Sequence, residues 1–96
     1  MEILVTYDVA TDTPAGQRRL RKVAKVCVGH GQRVQKSVFE CALTEVQLEE
    51  MLFRLLAIID DDVDSLRVYR LREPRERYLS VYGVRPGVNF REPLIV

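Results

Sequence analysis

Tryptophan is absent from this 96-residue chain, histidine occurs once and cysteine twice. Cys27 and Cys41 fall in different predicted elements and form no CxxC or Cys/His cluster, which argues against a zinc site and a disulfide framework. They read as core thiols of a protein kept in a reducing cytoplasm. No apolar run reaches signal-peptide or membrane-spanning length, and Glu2 puts an acid at the second position, so nothing targets a membrane or export. Only three Phe and four Tyr stand among the 47% hydrophobic residues. That stock fills one modest core, leaves no room for a second domain, and makes pairing with a second copy an easy way to gain buried area.

Charge is nearly balanced in total, at +1, yet segregated along the chain. Thr13 to Phe39 holds Arg18, Arg19, Arg21, Lys22, Lys25, Arg33 and Lys36 with no acid. Glu40 to Asp64 holds eight acids against Arg54 alone, and arginines dominate again from Arg67 onward. Patches of this kind steer a polyanion even when net charge is small.

The pattern of apolar residues gives the order of elements. Ile3, Val5, Tyr7 and Val9 alternate with Leu4, Thr6 and Asp8, as in a central strand. Thr13 and Pro14 open a helix as N-cap and first residue. Leu20, Val23, Ala24 and Cys27 give that helix an apolar face, and Arg18, Arg21, Lys22 and Lys25 give it an opposite basic stripe. Gly29-His30-Gly31 ends it with residues tolerant of positive φ. A tight hairpin is expected from Gln32 to Gln35 and Val38 to Leu43, turning at Lys36-Ser37. Thr44 and Gln47 match a capping box before a second helix carrying Leu48, Met51, Leu52, Leu55 and Ile59 on one face. After the Asp60 to Asp64 loop, Leu66 to Leu71 reads as a strand. The order βαββαβ is a ferredoxin-like α+β unit, an antiparallel sheet with two helices on one face. An additional strand, Tyr78 to Val84, closes a single domain spanning 1–84. It either extends its own sheet or adds to a partner's edge. The segment 85–96 ends in Leu94-Ile95-Val96 and is expected to dock on the dimer.

Asp8 is the sharpest candidate, an acid closing an apolar strand just before a basic helix. A hard cation, Mg2+ or Mn2+, can use one or two carboxylates plus water and substrate phosphates, and a two-fold axis near the strand ends would bring two copies of Asp8 together. Capping of the following turn through Thr11 or Thr13 is the alternative. The basic helix stripe with Arg33 and Lys36 suits phosphate contacts. Tyr7 and Phe39 suit base stacking or core packing, and Ser37 suits a phosphate contact or a turn. His30, between glycines, reads as a capping or surface residue, and the Asp60 to Asp64 run as a solvated loop without the EF-hand glycine and glutamate.

Four segments together carry a family resemblance: Leu4-Val5-Thr6-Tyr7-Asp8-Val9, Arg18-Arg19-Leu20-Arg21-Lys22-Val23, Gly31 through Cys41, and Asp64-Ser65-Leu66-Arg67-Val68-Tyr69-Arg70-Leu71. In this order the chain resembles the CRISPR-associated endoribonucleases second in the core numbering, the Cas-two family, and the last segment with Pro93-Leu94-Ile95-Val96 resembles its type I-C branch. The resemblance implies a homodimer in which late strands complete the partner's sheet. It also implies divalent-metal-dependent cleavage of RNA or double-stranded DNA, with Asp8 as catalytic and metal residue. Substrate contacts would fall at Tyr7, Arg19, Arg33, Ser37 and Phe39. It further implies a complex with the CRISPR integrase during spacer acquisition, in which the dimer acts as a DNA bridge without needing to cleave. A ferredoxin-like module binding a small ligand is the third class of reading, and the absence of a Gly-rich ligand loop speaks against it.

Overall fold

The computed structural model describes residues 1–84. The elements are β1 (Glu2–Asp8), α1 (Pro14–Val28), β2 (Gln32–Gln35), β3 (Val38–Ala42), α2 (Glu45–Ile58), β4 (Ser65–Leu71) and a short α3 (Arg75–Tyr78). Four strands form one antiparallel sheet in the order β2-β3-β1-β4, with the two apolar strands β1 and β3 inside. This is the ferredoxin-like arrangement expected from βαββαβ.

Alternation along β1 decides what each face does. Ile3, Val5 and Tyr7 are buried with Phe39 and Cys41 of β3 against Val23 and Cys27 of α1 and Leu48, Met51 and Leu55 of α2. Leu4, Thr6 and Asp8 point to the opposite face, opposite Tyr69, Arg67 and Ser65 of β4. Burial of each large apolar side chain contributes roughly 1.5 to 3 kcal/mol, so this single cluster supplies most of the driving force.

Local signals fix the helix ends. Thr13 Oγ1 accepts from Gly16 N at 3.0 Å, and Pro14 stands where no amide partner is needed. Thr44 and Gln47 form the reciprocal capping box: Gln47 N donates to Thr44 Oγ1 and Thr44 N to Gln47 Oε1. The end of α1 differs from expectation. Gly29 lies in the right-handed helical region at φ −71° rather than at positive φ. Gly31 is needed for space instead, since a Cβ there would collide with Cys41 Sγ and the Glu40 carbonyl.

Tyr78 to Val84 does not extend the sheet of its own chain. Tyr78 closes α3, and residues 79–84 have no regular structure, with Tyr82 and Val84 among the most exposed apolar residues. The chain leaving β4 instead places Arg75 beside Glu40, at 3.2 Å, and Glu2, at 4.0 Å. The expected docking of 85–96 lies outside the described residues.

Candidate functional site

Asp8 is the last residue of β1 and is exposed on the face turned away from the helices. Its carboxylate makes no hydrogen bond or ion pair among the described residues. Of the two proposed partners for a turn cap, Thr13 accepts from Gly16 N through its hydroxyl, and among the described residues Asp8 bonds neither Thr11 nor Thr13. The carboxylate at this strand end is therefore spare. An exposed, hard oxygen donor of this kind fits a divalent cation, although one carboxylate is only one of the ligands such an ion needs.

The loop behind Asp8 is braced by an acid that reads in sequence as solvated. Asp64 is buried, unlike Asp60, Asp61 and Asp62, which are exposed. Its Oδ1 accepts from Ala10 N at 2.9 Å and its Oδ2 from Asp60 N at 2.9 Å. Arg19 donates to both oxygens, Nε to Oδ2 at 2.8 Å and Nη2 to Oδ1 at 3.3 Å. One carboxylate thus ties the β1–α1 loop, α1 and the α2–β4 loop together. The Arg19 guanidinium and the backbone N–H groups hold the Asp64 carboxyl down at about 2 against the cost of burial. Arg19, expected to contact nucleic acid, is a structural partner here.

The other face of the same strand end carries a second cluster. Tyr7, Arg33, Lys36 and Ser37 line a cleft of about 430 Å3 with Leu20 and Ala24 of α1. Tyr7 N donates to the Ser37 carbonyl at 3.1 Å, and Tyr7 Oη to the Lys36 carbonyl at 3.4 Å, so the hairpin turn is pinned to the end of β1. Burial raises the Tyr7 phenol above its usual range, partly offset by the nearby Arg33 and Ser37 side chains. Arg33 lies over the Phe39 ring at 5.0 Å, and Tyr7 packs against Phe39 with ring centroids 6.2 Å apart.

Phe39 itself is fully buried, because its register opposite Val5 turns it toward the helices. It offers no face to a base, and truncating it would cost about 3 to 5 kcal/mol through the core. Tyr7, at 6% exposure, leaves little of its ring open to solvent. Arg18, Arg21, Lys22 and Lys25 lie exposed along α1, at the one-turn spacing that makes a stripe. The structure thus joins Tyr7, Arg33, Lys36 and Ser37 in one cleft, leaves the α1 stripe separate, and puts Asp8 on the opposite face of the sheet. Asp64 was missed from sequence. Its one available signal was that it follows Val63 and directly precedes a strand, apart from the Asp60-Asp61-Asp62 run.

Asp60, Asp61 and Asp62 bring ligand atoms within 4.8 Å of one another, all exposed. This is the solvated loop expected for these three, with Asp62 N bonded to Asp60 Oδ1 as in an ordinary Asx turn. Among the described residues, no helix is long and apolar enough to cross a membrane.

Comparison with known proteins agrees with this geometry. The family model described as CRISPR associated protein Cas2 matches residues 1–78. The chain is 57% identical over 96 residues to a CRISPR-associated endoribonuclease Cas2 of Moorella thermoacetica, covering all of both chains. It is 45% identical over 95 residues to a CRISPR-associated endonuclease Cas2 of Halalkalibacterium halodurans, covering 99% of each. The crystal structure of Streptococcus pyogenes Cas2 at pH 6.5 matches with a TM-score of 0.77 and 52% identity, covering 86% of this chain and all of that one. A ferredoxin-like sheet with a spare aspartate closing its first strand, and these matches across the described residues, place the chain in the Cas2 family.

Proposed function

We propose that this chain is a homodimeric subunit of CRISPR adaptation with metal-dependent endonuclease activity on RNA or double-stranded DNA, of the type I-C branch. The observation that carries this reading is Asp8, an exposed carboxylate without a partner among the described residues, at the end of a strand whose following loop is braced by Asp64. The names of the relatives from Moorella thermoacetica and Halalkalibacterium halodurans support a nuclease. Two copies of Asp8 meeting across a two-fold axis would hold one Mg2+ or Mn2+ and relieve their mutual repulsion. When bound, such an ion supplies positive charge that polarises a phosphodiester and acidifies a water. Arg33, Lys36 and Ser37 would position phosphates, and hydrolysis adds water across one P–O bond, leaving a phosphate on one fragment and a hydroxyl on the other.

Dimerisation is supported by the segment after α3. Val81, Tyr82 and Val84 are exposed apolar residues with no strand to pair with among the described residues, and an edge strand of a second copy would cover them. The two free, buried thiols are in keeping with a cytoplasmic setting.

A second reading is a non-catalytic adaptor that bridges DNA for the CRISPR integrase. It is favoured by the exposed α1 stripe, which is separate from Asp8 and could hold a duplex without any metal. The small-ligand regulatory module has no observation in its favour.

The test is cleavage of single-stranded RNA and of double-stranded DNA by wild type and Asp8→Ala, with Mg2+, Mn2+ or chelator, after gel filtration shows both to be dimers. Cleavage that needs metal and Asp8 establishes the nuclease and names its substrate. Intact duplex binding with no cleavage under any condition leaves the bridging adaptor.

A further inference from the structure

Arg54 is the one base in the acid-rich stretch from Glu40 to Asp64, and Glu50 stands four residues before it on α2. A glutamate four residues N-terminal to an arginine is the favourable helix pairing. The pair is not formed. Arg54 instead lines a groove of about 350 Å3 between α1 and α2, with Lys22, Lys25 and His30 around it and Val26 and Ile58 also in its wall. Among the described residues, none of Lys22, Lys25 and Arg54 makes an ion pair with an acid. Three cations gathered in one groove repel one another, and an anion between them would reverse the sign of that cost.

We infer that Lys22, Lys25 and Arg54, with His30, form a phosphate-binding groove between α1 and α2 that takes the backbone of a nucleic acid, separate from Asp8 and from the cleft at Tyr7. The inference rests on the reading that the chain handles nucleic acid. Arg54 supplies a planar fork suited to phosphate oxygens, and the lysines supply compact point charges. The His30 ring is held by Nδ1 at 2.8 Å from the Val26 carbonyl. A carbonyl only accepts, so Nδ1 carries the proton; Nε2 of the neutral ring is then an acceptor, and only the doubly protonated ring would donate from Nε2 to a phosphate oxygen. Lys22 and Lys25 also belong to the row that runs back along α1 through Arg21 and Arg18, spanning about 10 Å at 1.5 Å per residue. A row of bases that continues out of the groove suits a chain of phosphates better than a single enclosed ion.

The experiment is binding of a 30-base-pair DNA duplex by fluorescence anisotropy across a salt series, using wild type, Arg54→Gln, the Lys22→Gln/Lys25→Gln double variant and Arg70→Gln. Arg70 is an exposed base paired with Glu45 outside the groove, so it serves as the control. The expected result for Arg54→Gln is roughly fivefold weaker binding and a salt slope smaller by about 0.9, with about twice that change in slope for the double variant. Arg70→Gln should leave both quantities unchanged. Wild-type binding that Arg54→Gln leaves untouched would overturn the groove while sparing the wider reading, and wild type that binds no duplex would overturn both. Inorganic tripolyphosphate that shifts the His30 and Arg54 resonances, with duplex affinity equal in wild type and Arg54→Gln, would assign the groove to a free phosphate instead.

Discussion

Arg19 grips Asp64 at two points, Nε to Oδ2 at 2.8 Å and Nη2 to Oδ1 at 3.3 Å, and the carboxylate so held also accepts the N–H of Ala10, two residues beyond Asp8. The loop that leads away from the catalytic candidate is therefore tied down by a buried carboxylate.

Asp64→Asn removes the charge that Arg19 faces and turns an amide toward groups that only donate. Breaking a buried pair on one side is strongly destabilising, and a fall in Tm of roughly 10 °C or more is expected by calorimetry. The same carboxyl sets an acid limb. Its folded value of about 2 lies below the ordinary 3.8, so its stabilisation is complete above the ordinary value and is lost as pH falls through about 2. Urea midpoints at pH 5, 3.5 and 2.5 should decline steeply in wild type, with a shallower decline in Asp64→Asn.

Asp8→Asn should behave in the opposite way. The side chain is exposed and has no partner among the described residues, so the Tm should stay within about 3 °C of wild type, in line with the roughly 0.5 kcal/mol typical of a surface change. Loss of cleavage without loss of stability in Asp8→Asn, set beside the destabilised Asp64→Asn, separates a site residue from its support.

Gly16→Ala tests the brace from the helix side. A Cβ at Gly16 would run into the Ala10 carbonyl, which is backbone and has little freedom to give. Destabilisation of about 1 to 3 kcal/mol is expected from the overpacking, despite the better helix propensity of alanine. Nuclease activity should fall as well, since the displaced loop leads directly from Asp8.

The two thiols should be inert in the native protein. Burial pushes Cys27 up to about 12 and also raises Cys41, so neither forms appreciable thiolate at pH 8. A disulfide-exchange reagent at that pH should label neither until guanidinium unfolds the chain, when both react.

What sequence showed well was local. The Thr13 cap, the Thr44–Gln47 box, the hairpin turn at Lys36-Ser37 and the alternation of β1 are each written within a few residues, and each formed as expected. What it showed poorly depended on distant partners. Asp64 looks like its neighbours until Arg19, 45 positions away, is folded against it. Arg19 looks like Arg18 until the helix turns it toward the loop. Phe39 is aromatic among basic residues, and only its register with Val5 shows that it faces the core. Gly31 carries no local sign of the Cys41 side chain that demands its missing Cβ.

Tyr7 and Asp8 are adjacent in sequence and separated by the thickness of the sheet. Substitutions that reshape the cleft around Tyr7 are thereby insulated from the carboxylate of Asp8, and either face of the strand can change without disturbing the other. A single-residue insertion within β1 would exchange the two addresses, sending the acid into the core and the tyrosine out, so this strand tolerates changes of side chain but not of length.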